Sequence, residues 1–201
     1  MAFIANSAFE ARFTNNMYDQ TANVAGLYQA GSPLANADCS AGLLCVRNGK
    51  VPNQAFDDPN GTRVYNENTW YFNAAASTVN MDDVIYACDP HDWPLITAAN
   101  GNSYAVGTET LGLGAPAGRF TNFCRVDFDG QKIYRFGIGN VNASLGANTF
   151  FTIDAGQLAP AASAPSTAGS IYFSLEGTGT FVAGNGASFA YVDVIGHKVS
   201  A

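Results

Sequence analysis

Charged side chains are what this sequence has least of. Lys, Arg, Asp and Glu together make up 12% of its 201 residues, about half the ~25% usual in soluble domains. Nine basic residues stand against 16 acidic ones, for a net charge of -7. Arg12, Arg47, Arg63, Arg119, Arg125 and Arg135 are scattered along the chain, and without a basic patch to neutralise phosphates, nucleic acid is excluded as a partner. Long apolar runs are missing too: nothing approaches the ~20 consecutive apolar residues of a membrane-spanning helix, so no membrane partner is expected. The opening "MAFIANSAFEARF" has no positively charged stretch leading into a continuous apolar one, so the chain reads as cytosolic when made.

Histidine is nearly absent. His91 and His197 are the only two, which leaves few bases for an activated Ser or Cys, and no "GxSxG" elbow offers a nucleophile. His197, four residues from the end, reads as an exposed terminal residue. Cys39, Cys45, Cys88 and Cys124 form no close pair of the C-x-x-C kind that pre-sets half of a zinc tetrahedron. In "CDPHDWP", Cys88 to Pro94, Cys88 and His91 are suitably spaced but no second pair answers them. Two prolines that fix φ and two aspartates that form Asx turns make the segment a tight turn. No metal site, cofactor or catalytic residue is therefore assigned.

What is present is a polar, uncharged surface composition rich in Asn, Gly, Ala, Ser and Thr, and many short β-forming runs. At 201 residues one domain can bury roughly 70% of its chain surface. The expected fold is all-β, a single sandwich or barrel-like domain spanning 38–201 and preceded by an arm at 1–37. Ser7 and Glu10 fit a capping box, and Phe9 and Phe13 share a helix face, so the arm is expected to carry a short helix. "LCVRNGKV" suits a hairpin around Asn48-Gly49. "FCRVDFDGQKIYRFGIG" suits a second hairpin turning at Asp129-Gly130, with Cys124, Val126 and Phe128 facing the core. "DAGQLAPAASAPSTAGS", 154–170, reads as a long surface connection, and the segment after it as three strands.

The phrases "FEARFTNNMYD", "GLLCVRNG", "VYNENTWYFNAA" and "FDGQKIYRFGIGN" together resemble a set of tailed-bacteriophage virion proteins, from phages of Gram-positive bacteria, described as head decoration or capsid cement proteins. The similarity is one of order and texture along most of the chain. It implies a non-enzymatic structural protein, made in the host cytoplasm, that adds to the outer capsid surface of the virion and stabilises it by bridging capsomers. The implied partners are the major capsid protein and neighbouring copies of the chain, a trimer being one arrangement. On that reading the N-terminal arm lies on the capsid, anchored by Phe3, Phe9, Phe13 and Tyr18, with Arg12 paired to a capsid carboxylate. The alternative use of the same aromatics is to complete the protein's own core. A rival reading is a head-fibre or tail-associated adhesin that holds cell-surface glycans through Trp70, Tyr71 and Trp93, by stacking of rings on sugar faces.

Overall fold

The computed structural model describes residues 3–13, 23–52, 65–77, 83–90, 95–97, 103–105, 114–182 and 188–200. Their strands, in chain order, are β1 (Phe9–Phe13), β2 (Asn23–Ala30), β3 (Ala35–Asn36), β4 (Cys39–Ser40), β5 (Leu44–Pro52), β6 (Tyr65–Ala74), β7 (Tyr86–Cys88) and β8 (Leu95–Thr97). They continue with β9 (Ser103–Ala105), β10 (Gly114–Ala115), β11 (Thr121–Arg125), β12 (Asp129–Gly137), β13 (Phe150–Asp154), β14 (Gln157–Ala161), β15 (Ile171–Val182) and β16 (Ser188–Lys198). A 3-10 turn, Ile138–Asn140, follows β12.

The all-β expectation holds, with a barrel and an open sheet in one molecule. β11, β7, β5, β6 and β2 are hydrogen-bonded in that order, and β11 pairs again with β2, which closes a five-stranded ring. Strand directions cannot alternate all the way round an odd ring, so one neighbouring pair has to be parallel. That pair is β2 and β6, while the other contacts are antiparallel. The second large sheet is open and antiparallel, in the order β1-β12-β16-β15-β13-β14.

Alternation along the barrel strands gives two apolar faces. Tyr28, Cys45, Phe72, Tyr86, Cys88 and Phe123 fill the barrel with Cys39, Leu43 and Ala115. Leu44, Ala87, Cys124 and Val126 point the other way, onto Tyr134, Phe136, Phe151, Phe173, Val192 and Val194 of the open sheet. Strands buried on both faces need apolar residues at successive positions, which accounts for the runs "LLC" and "IYAC".

Several local expectations are corrected. Residues 9–13 form a strand and not a helix, paired to β12 through Phe9↔Phe136 and Phe13↔Lys132. Phe9 and Ala11 bury alternate side chains while Glu10 faces outward, so tertiary burial outweighs the capping signal, and Ser7 is itself fully buried. The stretch expected as an arm thus supplies β1 to the sheet and β2 to the barrel. "LCVRNGKV" is one continuous strand whose register shifts at Arg47/Lys50, with Gly49 at φ 87°; the Asn-Gly signal makes a bulge, not a turn. Cys124 and Val126 do face the core, but β11 and β12 are no hairpin. The chain crosses there from barrel to sheet, and Tyr134 Oη accepts the Asp127 N–H at 2.7 Å. The expected connection at 154–170 begins with strand β14, on which Leu158 is fully buried. The final segment forms two long strands, β15 and β16, rather than three.

Asn140 joins the parts. Its side chain is fully buried, accepts the Ala8 N–H at 3.0 Å and donates to the Ala41 carbonyl at 2.8 Å. Gly139 lies so close to the N-terminal segment that a Cβ there would sit 1.9 Å from the Ala5 carbonyl oxygen.

Candidate functional site

The outer face of the open sheet brings together charged and aromatic groups that the cores do not consume. Alternation on β12 and β16 turns Phe136, Val192 and Val194 inward and Arg135, Tyr191, Asp193 and His197 outward. Arg135 and Asp193 are cross-strand partners, and the guanidinium grips the carboxylate with two hydrogen bonds of 2.8 Å each. Glu10 of β1 stands 3.6 Å away on the other side. The Arg135 guanidinium also stacks on the Tyr191 ring at 3.8 Å, and that ring lies across Gly179, where any Cβ would come within 2.4 Å of it. The Asp193 hydrogen bonds raise the Arg135 pKa above its ordinary value.

Beside this cluster runs a line of rings. Phe150 is 6.0 Å from Tyr172, and Tyr172 stacks on His197 at 5.3 Å. His197 Nε2 and Ser174 Oγ are 2.8 Å apart. His197 is therefore half-buried and held from two sides, which corrects its reading as an exposed terminal residue. It is the tenth residue of the eleven-residue strand β16, where the register pairs it with Tyr172 of β15 and Asp129 of β12. The face is flat, aromatic and locked, and its central charges are neutralised in place. Such a surface can be covered by another protein without stranding an unpaired charge.

The residues singled out from sequence do not assemble into one site. Phe9 is 3% exposed and packs between Tyr134 and Phe136, at ring distances of 6.2 and 5.3 Å; as a capsid anchor it is already occupied by its own core. Phe3 is 40% exposed, with its ring over Gly114. Arg12 and Phe13 lie on β1 opposite Ile133 and Lys132, and Tyr18 is outside the described residues. Trp70 sits at one end of the barrel under Arg47 and Lys50, whose charged groups are 4.4 and 5.4 Å from its ring centre. Tyr71, the next residue of the same strand, faces the opposite way, so the two form no joint sugar platform. Trp93 and His91 lie outside the described residues. Of "CDPHDWP", Cys88, Asp89 and Pro90 are buried, and the rest of the expected turn is likewise not described.

Three thiols missed as a group meet inside the barrel. Cys39 is within hydrogen-bonding reach of both Cys45 and Cys88, and all three are free and fully buried. Burial pushes the Cys39 and Cys45 thiols up, while the hydrogen bond to Cys39 and then burial push Cys88 up. These thiols stay neutral at pH 7, and the neutral thiol is a poor nucleophile and metal ligand. Among the described residues, no group of three His, Cys, Asp or Glu side chains is placed to hold a metal ion. No protein-family model, no curated protein and no solved structure matches the chain.

Proposed function

We propose that the protein is a non-enzymatic structural component of a phage virion that binds the outer surface of the assembled capsid and stabilises it by bridging capsomers. The observation that carries the reading is the outer face of the open sheet. Phe150, Tyr172, His197 and Tyr191 offer flat aromatic area, and Arg135 is compensated by Asp193 and Glu10. Tyr, Phe and Arg are the side chains enriched where proteins meet. The scarcity of charge limits repulsion between copies crowded on a lattice, and multivalent attachment makes each weak contact count. The sequence resemblance points the same way. The partners on this reading are the major capsid protein and neighbouring copies of the chain.

Glycan binding through Trp70 is less well supported, because Arg47 and Lys50 already occupy positions over that ring. Co-sedimentation of the purified protein with expanded, undecorated capsids of its source tests the proposal. Saturable binding at a fixed number per capsomer is expected, with improved survival of the capsids on heating. Tyr172→Ala should weaken that binding roughly tenfold, the effect of an interface residue worth more than ~1 kcal/mol. Absence of binding together with a positive glycan array would replace the proposal by the adhesin reading.

A further inference from the structure

At the end of the barrel opposite Trp70, the parallel strands β2 and β6 separate. Their pairing ends at Tyr28↔Phe72, yet both strands continue. β2 turns away to pair with β3 through Gln29↔Asn36 and Ala30↔Ala35, whereas β6 stays with β5 as far as Cys45↔Ala74. A cleft of about 480 Å³ opens between them, with Tyr28 as its floor and Ile4, Leu34, Leu43 and Ala74 among its apolar walls. This volume lies within the range of ligand-binding pockets.

Two features show what the cleft would accept. The Ala75 N–H donates to the Leu44 carbonyl of β5 at 2.9 Å. Successive backbone groups of a strand point to opposite sides, so the peptide groups of Ala74 face the side that β2 has left. Asn73, which also lines the cleft, has a buried Oδ1 with no hydrogen-bond partner, and a buried acceptor of this kind calls for a donor. Among the described residues of the lining, Asp38 is the one that carries a charge. Its Oδ1 accepts the Ala117 N–H, and its carboxylate keeps capacity for a cation.

We propose that this cleft binds an extended peptide segment of a partner, adding it as a short strand beside β6, with an apolar side chain between Leu34 and Leu43 and an adjacent basic side chain at Asp38. An extended chain would present N–H groups to the Ala74 carbonyl on the side that β2 has left and, once the Asn73 side chain turns outward, to its Oδ1, in the manner of strand addition at a sheet edge. A saccharide fits less well, because the walls are mostly carbon. The proposal does not depend on the capsid reading, since a segment of this chemistry can belong to any protein partner.

The test is an amide-resolved NMR titration of the full chain with three blocked hexapeptides: acetyl-Ala-Val-Leu-Lys-Val-Ala-amide, the same peptide with Glu for Lys, and the Lys peptide N-methylated at Leu and Lys. Chitobiose serves as the saccharide probe. Saturable shifts at Gln29, Leu43, Asn73 and Ala74 are expected for the Lys peptide, with a Kd near or below about 1 mM. The Glu peptide should bind about fivefold more weakly, as one exposed ion pair allows, and the N-methylated peptide, deprived of its donors, not at all. Asp38→Asn, which can still accept the Ala117 N–H, should abolish the preference for Lys over Glu. Absence of saturable shifts with the Lys peptide at about 10 mM, equal binding of the N-methylated peptide, or shifts with chitobiose alone would overturn the proposal.

Discussion

The barrel and the open sheet treat polarity in opposite ways. The barrel takes ionisable groups inside and keeps them neutral: three thiols and Tyr28 share its upper end, each shifted away from ionisation at ordinary pH. The sheet keeps its interior almost wholly hydrocarbon and aromatic and holds its charges outside, paired across strands. A neutral thiol behaves as a small apolar group, so Cys39, Cys45 and Cys88 can pack beside Leu43, Phe72 and Tyr86 in the barrel without carrying a charge. The open sheet fills its buried side with Phe136, Phe151 and Phe173. On the two proposals above, the barrel interior carries packing, and the surfaces assigned to partners are the outer sheet face and the barrel mouth.

The largest effect is expected from emptying the barrel. Phe72 is fully buried and stacks on Phe123 with ring centres 3.9 Å apart. Phe72→Ala should cost about 4 kcal/mol, the usual loss for a large buried aromatic, measurable as a lower urea midpoint. It should also open the thiol cluster to DTNB, which should react slowly or not at all with the native protein, where the thiols are buried. A loss below about 1 kcal/mol would mean that the barrel is not packed as a core. Next comes the joint between the two regions. Asn140→Leu removes two buried hydrogen bonds and strands the Ala8 N–H and the Ala41 carbonyl, for about 3 kcal/mol at a typical 1–3 kcal/mol for each unsatisfied group. In a Trp93→Phe background, Trp70 fluorescence reports the barrel and far-UV circular dichroism the whole chain. Coincident transitions in the variant would show that other contacts still couple barrel and sheet, and separated ones that Asn140 is the main tie.

The same contrast governs what could be read from sequence. Alternation in Cys124, Val126 and Phe128 and the long β-forming runs identified the class and many inward positions, because burial writes a period of two into any strand. Which strands meet was not legible. Asp129-Gly130 keeps turn-like local chemistry, with Gly130 at φ 78° and the Gln131 N–H donating to the Asp129 side chain, but it lies inside β12 at a register shift against β16. β11 before it and β12 go to different sheets, since pairing is decided by partners far away in sequence. Phe9 was a candidate anchor on grounds of hydrophobicity, and nothing local distinguishes an aromatic that fills its own core from one that docks elsewhere. The cluster of Arg135, Asp193, Tyr191 and Glu10 was missed because its members lie on three strands as much as 183 positions apart in the chain. Glu10 moreover reads as part of a helix cap, and no local signal gives the register that brings the four together.

Alkaline pH sharpens the contrast at a smaller scale. Folded-state thiol pKa values that are raised keep Cys39, Cys45 and Cys88 protonated in the barrel, while the unfolded chain releases those protons above about pH 8.5. Protons are then bound more tightly by the native state, so stability is full below that pH and falls as pH rises. Each thiol contributes up to about 1.4 kcal/mol per pH unit. The urea midpoint should decline between about pH 8.5 and 10.5, and Cys39→Ala should flatten the decline. A midpoint unchanged over that range would show that the thiols titrate as freely in the barrel as in the unfolded chain.

The smallest effect belongs to the outer face. Arg135 and Asp193 are 20% and 13% exposed, more enclosed than ordinary surface pairs, and the contact is bidentate. A double-mutant cycle with Arg135→Gln and Asp193→Asn should give a coupling of about 1 kcal/mol, at the upper end for pairs near the surface. It should shrink only modestly between low and high salt, because ions screen a half-enclosed pair less than an exposed one. The cycle bears on the face as a docking surface through what each single variant leaves behind. Asp193→Asn leaves a cation facing Glu10 alone, whereas Arg135→Gln leaves two carboxylates without their shared partner. If the face is covered by another protein, Arg135→Gln should weaken capsid binding more than it lowers stability, since burying two uncompensated carboxylates adds a penalty that the free protein, with water over the same groups, does not incur.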